Sequence, residues 1–133
     1  FPYHCENRLK LSPKAIFLFM NIPSRSEVWT VNLNPVRGHE QAGHRPGLVI
    51  SVDTFNHGPA GLVVIIPITT KEKGIPFHVA ISPPEGGVSK KSFIKCEDIR
   101  SVSTERLSKC LGTVSLETLK AVEERLKILL DLY

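Results

Sequence analysis

Twelve consecutive residues, Pro35-Val36-Arg37-Gly38-His39-Glu40-Gln41-Ala42-Gly43-His44-Arg45-Pro46, hold two arginines, two histidines, a glutamate and a glutamine on a backbone set by glycine and proline. Such a set can hold an anion and move a proton. A guanidinium keeps its charge at any working pH and grips a phosphate through two N–H donors, and an imidazole titrates near neutrality. A hydroxyl, that of Thr69, emerges where the apolar run Leu62-Val63-Val64-Ile65-Ile66-Pro67-Ile68 gives way to the polar stretch Thr70-Lys71-Glu72-Lys73-Gly74. Each residue also has a plainer reading. Arg45 could pair with Glu40 on the surface, and Thr69 could close an ST turn. His39 and His44 could be loop hydrogen-bonders, and Glu40 and Gln41 could fasten the loop to backbone amides. Lys71, Lys73, Lys90 and Lys91 could be no more than a solvated face.

The flanks of the twelve residues read as a rigid scaffold. Glu27-Val28-Trp29-Thr30-Val31-Asn32-Leu33 alternates with the period of a strand, and Leu48-Val49-Ile50-Ser51-Val52 is a β-branched run fit for a buried one. The loop therefore joins two strands and projects from one rim of a sheet. Residues 53–61 read as a turn-rich loop and 62–68 as a buried strand whose ladder Pro67 must interrupt. Residues 77–81 alternate like a strand with one wet face, and further short strands are expected at 91–96, 99–102 and 110–114. A short helical turn is expected from Ser103. Ser115 is a good N-cap for a terminal helix carrying Leu116, Leu119, Val122, Leu126, Leu129 and Leu130 on one stripe. Many short strands with Gly/Pro turns and one amphipathic helix predict a mainly β fold, a small barrel with a C-terminal helix.

At 133 residues, 41% hydrophobic and 23% charged, the chain is one ordinary domain. Half of the net charge of +4 lies in the first 21 residues, where Arg8, Lys10 and Lys14 face only Glu6, so overall charge is weak evidence for a nucleic-acid partner. Cys5, Cys96 and Cys110 have no metal-ligand spacing, and neither a zinc site nor a disulfide framework is expected, which suits a reducing cytoplasm. Residues 1–21 look foreign to the rest. The only methionine is Met20, and Ala15–Phe19 is an isolated apolar patch too short to span a bilayer. We therefore expect a non-native or disordered extension over 1–21, a native start at Met20, and a single domain over 22–133.

The run Glu27-Val28-Trp29, Asn34-Pro35, Gly38-His39-Glu40-Gln41-Ala42-Gly43-His44-Arg45-Pro46, then Pro67-Ile68-Thr69-Thr70-Lys71 and Gly74-Ile75-Pro76-Phe77, resembles the MazF/PemK (Kid) family of toxin endoribonucleases. The likeness covers residues 24–132, and its most specific element is the GxEQxGxRP string. Ser26 departs from the family's usual glycine. The resemblance implies an SH3-like, plasmid-toxin type barrel working as a homodimer. It also implies cleavage of single-stranded RNA, usually mRNA, at short motifs, with no metal or other cofactor, inhibiting translation and growth. The partners it implies are the RNA, a cognate antitoxin that is acidic and partly disordered, and DNA for the toxin–antitoxin complex, with no membrane.

By the same resemblance Arg45 and Thr69 match the family's catalytic arginine and threonine, and His39 matches a histidine that stabilises the reacting phosphate. The Kid-like Arg-x-Asp pair, cast as acid and base, falls on Lys95-Cys96-Glu97, which keeps the charge signs and changes both side chains. The catalytic candidates are therefore Arg45, Thr69, His39 and Glu97, with the acid and base open between two assignments. The RNA-binding candidates are Arg37, Glu40, Gln41, His44, Thr70, Lys71, Lys73 and Lys95. Two other readings stand beside this one: a non-enzymatic toxin of the gyrase-poison type on the same barrel, and an SH3-like module that binds RNA or a peptide without cutting.

Overall fold

The computed structural model of the chain describes residues 22–40 and 42–133. The expected extension over 1–21 and Gln41 lie outside the described residues. Among the described residues, seven antiparallel strands follow in chain order: β1 (Glu27–Asn32), β2 (His44–Val49), β3 (Leu62–Thr69), β4 (His78–Ile81), β5 (Ser92–Lys95), β6 (Arg100–Ser103) and β7 (Leu107–Thr113). A one-turn helix α1 (Asp53–Asn56) lies between β2 and β3, and helix α2 (Leu116–Leu130) ends the fold. The sheet order is β4-β5-β3-β2-β1-β7, with β6 beside β3. The mainly β fold with a terminal helix holds, and the sheet is bent rather than closed, because β4 and β7 do not pair with each other.

Strand β3 is the axis of this arrangement. Along one edge it pairs with β2 from Gly47↔Pro67 to Val49↔Ile65. Along the other, its first half pairs with β6 through Leu62–Ile65 and its end pairs with β5 at Ile68↔Ile94 and Thr69↔Phe93. Pro67 stands at that changeover, where the absence of an N–H costs no ladder bond, as the sequence led us to expect. The two faces of the sheet carry two cores. One, built on Val28, Leu48, Ile66, Ile68, Ile94 and Val122, is covered by Leu119, Ala121 and Leu126 of α2. The other, smaller one joins Trp29, Val31, Leu33, Val49, Val63, Ile65 and Val102.

Helix α2 begins as expected: the Ser115 hydroxyl accepts from the Thr118 N–H at 3.1 Å. Glu85 adds a second cap, its Oε2 accepting from the Ser115 N–H at 2.9 Å. Next to Glu85, the close approach of Gly87 to β7 demands glycine: a Cβ there would lie 2.0 Å from the Leu111 carbonyl oxygen, at φ +70°.

Four expectations need correction. β2 begins at His44, so the last three residues of the presumed loop are strand; the Leu33 N–H donates to the Gly43 carbonyl at 2.9 Å and draws the hairpin closed there. Residues 53–56 form a helical turn, its Asn56 N–H bonded to the Val52 carbonyl at 3.0 Å. Leu116 and Leu130, counted on the apolar stripe, are exposed, since only the middle of α2 lies over the core. Cys110 takes part in a disulfide, whereas Cys96 is free and buried.

Candidate active site

The site begins where the β2–β3 ladder ends. Gly47↔Pro67 is its last pair, and carrying that register two residues further sets Arg45 of β2 opposite Thr69 of β3. On the far side of β3, Thr69 faces Phe93, and Lys95 follows two residues along β5. Residues two apart on a strand share a face, so Arg45, Thr69 and Lys95 come to the same side of the sheet, the one away from α2. One open pocket there is lined by His39, Glu40, Ala42, Arg45, Thr69, Lys71, Lys73 and Lys95. An adjoining pocket shares His39, Glu40, Lys73 and Lys95 and adds Ile75, Glu97 and Asp98.

The pocket's parts are held in different ways. Thr69 and Lys95 are each only 7% exposed, fixed by the strands that carry them. Thr69 Oγ1 accepts the Lys71 N–H at 3.2 Å, so the ST turn is real, and the hydroxyl keeps its own proton to donate elsewhere. Arg45 is exposed and ties its Nε to the Ala42 carbonyl at 3.2 Å. Four cations against the single carboxylate of Glu40 give the pocket a positive field suited to an anion.

Glu40 does not pair with Arg45. Its Oε1 accepts the Arg37 N–H at 2.7 Å, and its Oε2 lies 3.7 Å from Arg100 Nη1. Arg100 also binds Asp98 at 2.8 Å, and Asp98 lies 3.7 Å from Lys95 Nζ. This chain of charges ties the exposed loop to the turn after β5. Glu97, on that turn, accepts a hydrogen bond at 2.7 Å between its Oε2 and His78 Nε2. Between Lys95 and Glu97, Cys96 points into the main core, and burial pushes its thiol up to about 12, so it stays protonated and inert near neutrality.

Of the four catalytic candidates, Arg45, Thr69 and His39 share one pocket, while Glu97 lines only the adjoining one, with His39 common to both. Among the RNA-binding candidates, Glu40, Lys71, Lys73 and Lys95 line the first pocket. Arg37 and Thr70 are exposed nearby but line neither. His44 turns to a separate pocket with Asn32, Asn34, Ser103, Glu105, Arg106 and Ser108. Sequence reasoning missed Asp98, Arg100 and His78, whose partners come from other elements. It also missed Arg106, which donates to the carbonyls of Asn32 and Asn34 and braces the base of the hairpin. Among the described residues, no group of three or more His, Cys, Asp or Glu is placed to hold a metal ion. None of their helices is long and apolar enough to cross a membrane.

A cationic, open cleft at the rim of a small bent sheet defines a class of anion-handling β proteins, and the comparisons narrow it. Residues 24–130 match the family described as PemK-like, MazF-like toxin of type II toxin-antitoxin system. The chain is 37% identical over 114 residues to Endoribonuclease MazF9 of Mycobacterium tuberculosis, an alignment covering 82% of this chain and 97% of that protein. It is 30% identical over 110 residues to Endoribonuclease toxin MazF of Escherichia coli K12, covering 82% and 95%. The crystal structure of MazF (Form-I) from Deinococcus radiodurans superposes with a TM-score of 0.74 at 32% identity, covering 84% of this chain and 98% of that one. The MazE-MazF (Form-III) structure from the same organism superposes at 0.67 with 26% identity, covering 84% and 99%. The chain belongs to the PemK-like, MazF-like toxins of type II toxin–antitoxin systems, and with them to the endoribonucleases.

Proposed function

We propose that the chain cleaves single-stranded RNA, foremost mRNA in the cytoplasm, through attack of a ribose 2′-hydroxyl on the neighbouring phosphate held between Arg45 and Thr69. The observation that carries this reading is the convergence of those two residues, from different strands, on one pocket with His39 and three lysines. RNA brings its own nucleophile, so the protein has to align it, move two protons and stabilise the phosphorane-like transition state. A splayed single strand reaches the in-line geometry that an A-form duplex disfavours.

The 2′-oxygen forms a bond to phosphorus as the bond to the 5′-oxygen breaks. The 2′ proton passes to a base, and an acid returns one to the leaving 5′-oxygen, giving a 2′,3′-cyclic phosphate, or the 3′-phosphate after hydrolysis, and a 5′-hydroxyl. Arg45 clamps the phosphate, and Lys95 and Lys71 add charge. Thr69 donates its hydroxyl proton to a phosphate oxygen. His39, common to both pockets, and Glu97, in the adjoining one, are assigned the proton exchange. Charge on the phosphate is met by side chains throughout, so the reaction asks for no metal.

A homodimer is proposed from the apolar Ile128, Leu130 and Leu132, which a single chain leaves in solvent. The partner that restrains the toxin is proposed to be an acidic, partly disordered antitoxin laid over the cationic cleft, in keeping with the MazE-MazF neighbour.

The test is incubation of the full chain with long single-stranded RNA in EDTA. Discrete fragments with 5′-hydroxyl ends are expected; RNA left intact by the folded, antitoxin-free protein overturns the reading.

A further inference from the structure

We infer that His78 is a positioning residue, holding the Glu97 carboxylate in the orientation that proton transfer requires. The inference rests on the reading of Glu97 given above. His78 opens β4 and stands opposite Lys95 of β5, so its side chain belongs to the pocket face of the sheet. Its ring is 4% exposed, and its backbone N–H donates to the Ile75 carbonyl at 3.0 Å. The main chain that carries the ring is thus anchored, and the ring itself is closed in by its neighbours. Its Nε2 meets Glu97 Oε2 at 2.7 Å, within the range of a charge-assisted bond.

Packing alone does not explain a histidine here. Nδ1 is buried with no hydrogen-bond partner, an arrangement that costs stability and that an apolar side chain would avoid. Alternation put residue 78 on a wet face, yet the face is closed over this ring. What the ring supplies is one directional donor aimed at a carboxylate on a three-residue turn, where little else restrains it. Of the neighbouring carboxylates, Asp98 binds Arg100 and lies near Lys95, and Glu40 lies near Arg100. A carboxylate whose rotamer is locked by a second group is the arrangement a proton-transfer site needs.

The experiment compares H78L, H78Q, E97Q and the H78L/E97Q double variant on a fluorogenic RNA oligonucleotide built around a mapped cleavage site. H78L is expected to lower kcat about 10-fold to 30-fold with KM within about 2-fold. H78Q, which keeps a donor, is expected to recover most of that loss. The double variant is expected to be no slower than E97Q, because a positioning residue has nothing left to position. Full activity in E97Q overturns the role of Glu97 and this inference with it. A slow E97Q beside an unchanged H78L overturns the inference alone, as does a double variant whose losses multiply. If H78L does not fold, nitrogen-15 spectra of the unaltered chain decide the matter. A proton on Nε2 whose signal moves in E97Q supports the inference, and a ring protonated at Nδ1 only overturns it.

Discussion

The pocket has two walls made in opposite ways. The loop wall, His39, Glu40, Ala42 and Arg45, is exposed and rich in charge, and it hangs on a few polar ties to Arg37 and Arg100. The strand wall, Thr69 and Lys95, is nearly buried and is set by the pairing of β3 with β2 and β5. Charge can be carried on a flexible surface because its field reaches several ångströms, whereas a hydrogen bond to a transition state is lost by a shift of one. The difference teaches that the exposed wall should contribute mostly field and binding, and the buried wall mostly geometry.

Arg45 is the member of the loop wall planted on a strand, so it should join both contributions and show the largest effect. R45A is expected to lower kcat/KM by roughly 10³-fold, in the range of phosphate-clamping arginines, while the melting temperature moves by less than about 2 °C. Cleavage kinetics beside a thermal melt check this. A loss below about 10-fold would break the comparison at its strongest point. T69A is the matching cut in the strand wall. Roughly 10²-fold is expected, in kcat rather than KM, with T69S close to the parent because the hydroxyl is kept. T69A should also cost about 1 kcal/mol of stability in a denaturant titration, since the Lys71 N–H loses its acceptor.

The same contrast explains what the sequence made legible. The loop wall is contiguous, so Arg45, His39 and Glu40 announce themselves as a string, and the end of an apolar run marks Thr69. That Arg45 opposes Thr69 depends on the register Gly47↔Pro67, which no local pattern encodes. Lys95 and Glu97 were reachable only through the family resemblance. His78 and Arg100 were not reachable, because each gains its meaning from a partner brought by the topology, whereas Asp98 pairs with its sequence neighbours Lys95 and Arg100 and was passed over. The start of β2 was misplaced for a local reason: Gly43 and Pro46 read as loop residues, although Pro46 pairs with Thr30 without disturbing the hairpin. Ser26 shows the reverse case. Its φ of +82° is a backbone state that glycine adopts freely, at a position remote from the chemistry.

Glu40 sharpens the comparison at an intermediate size. Its carboxylate caps the Arg37 N–H and lies near Arg100, so E40A should loosen the loop while leaving the strand wall intact. The expected signature is a KM raised about 10-fold with kcat within about 3-fold, read from the same kinetics. An equal fall in kcat and kcat/KM would instead give Glu40 a direct part in the transition state.

The smallest effect is expected next door to the largest. His44 precedes Arg45 on β2, and adjacent residues of a strand point to opposite faces. The register places His44 against Asn32, where it lines a pocket with Asn34, Ser103 and Arg106, while Arg45 turns toward Thr69. H44A should therefore change kcat/KM on a minimal dinucleotide substrate by less than about 2-fold, as a surface substitution does. Cleavage of the dinucleotide isolates the reacting phosphate from any contact further along the strand. Should H44A fall there as far as R45A, the two side chains share the reacting phosphate, and the division of faces that separates them is wrong.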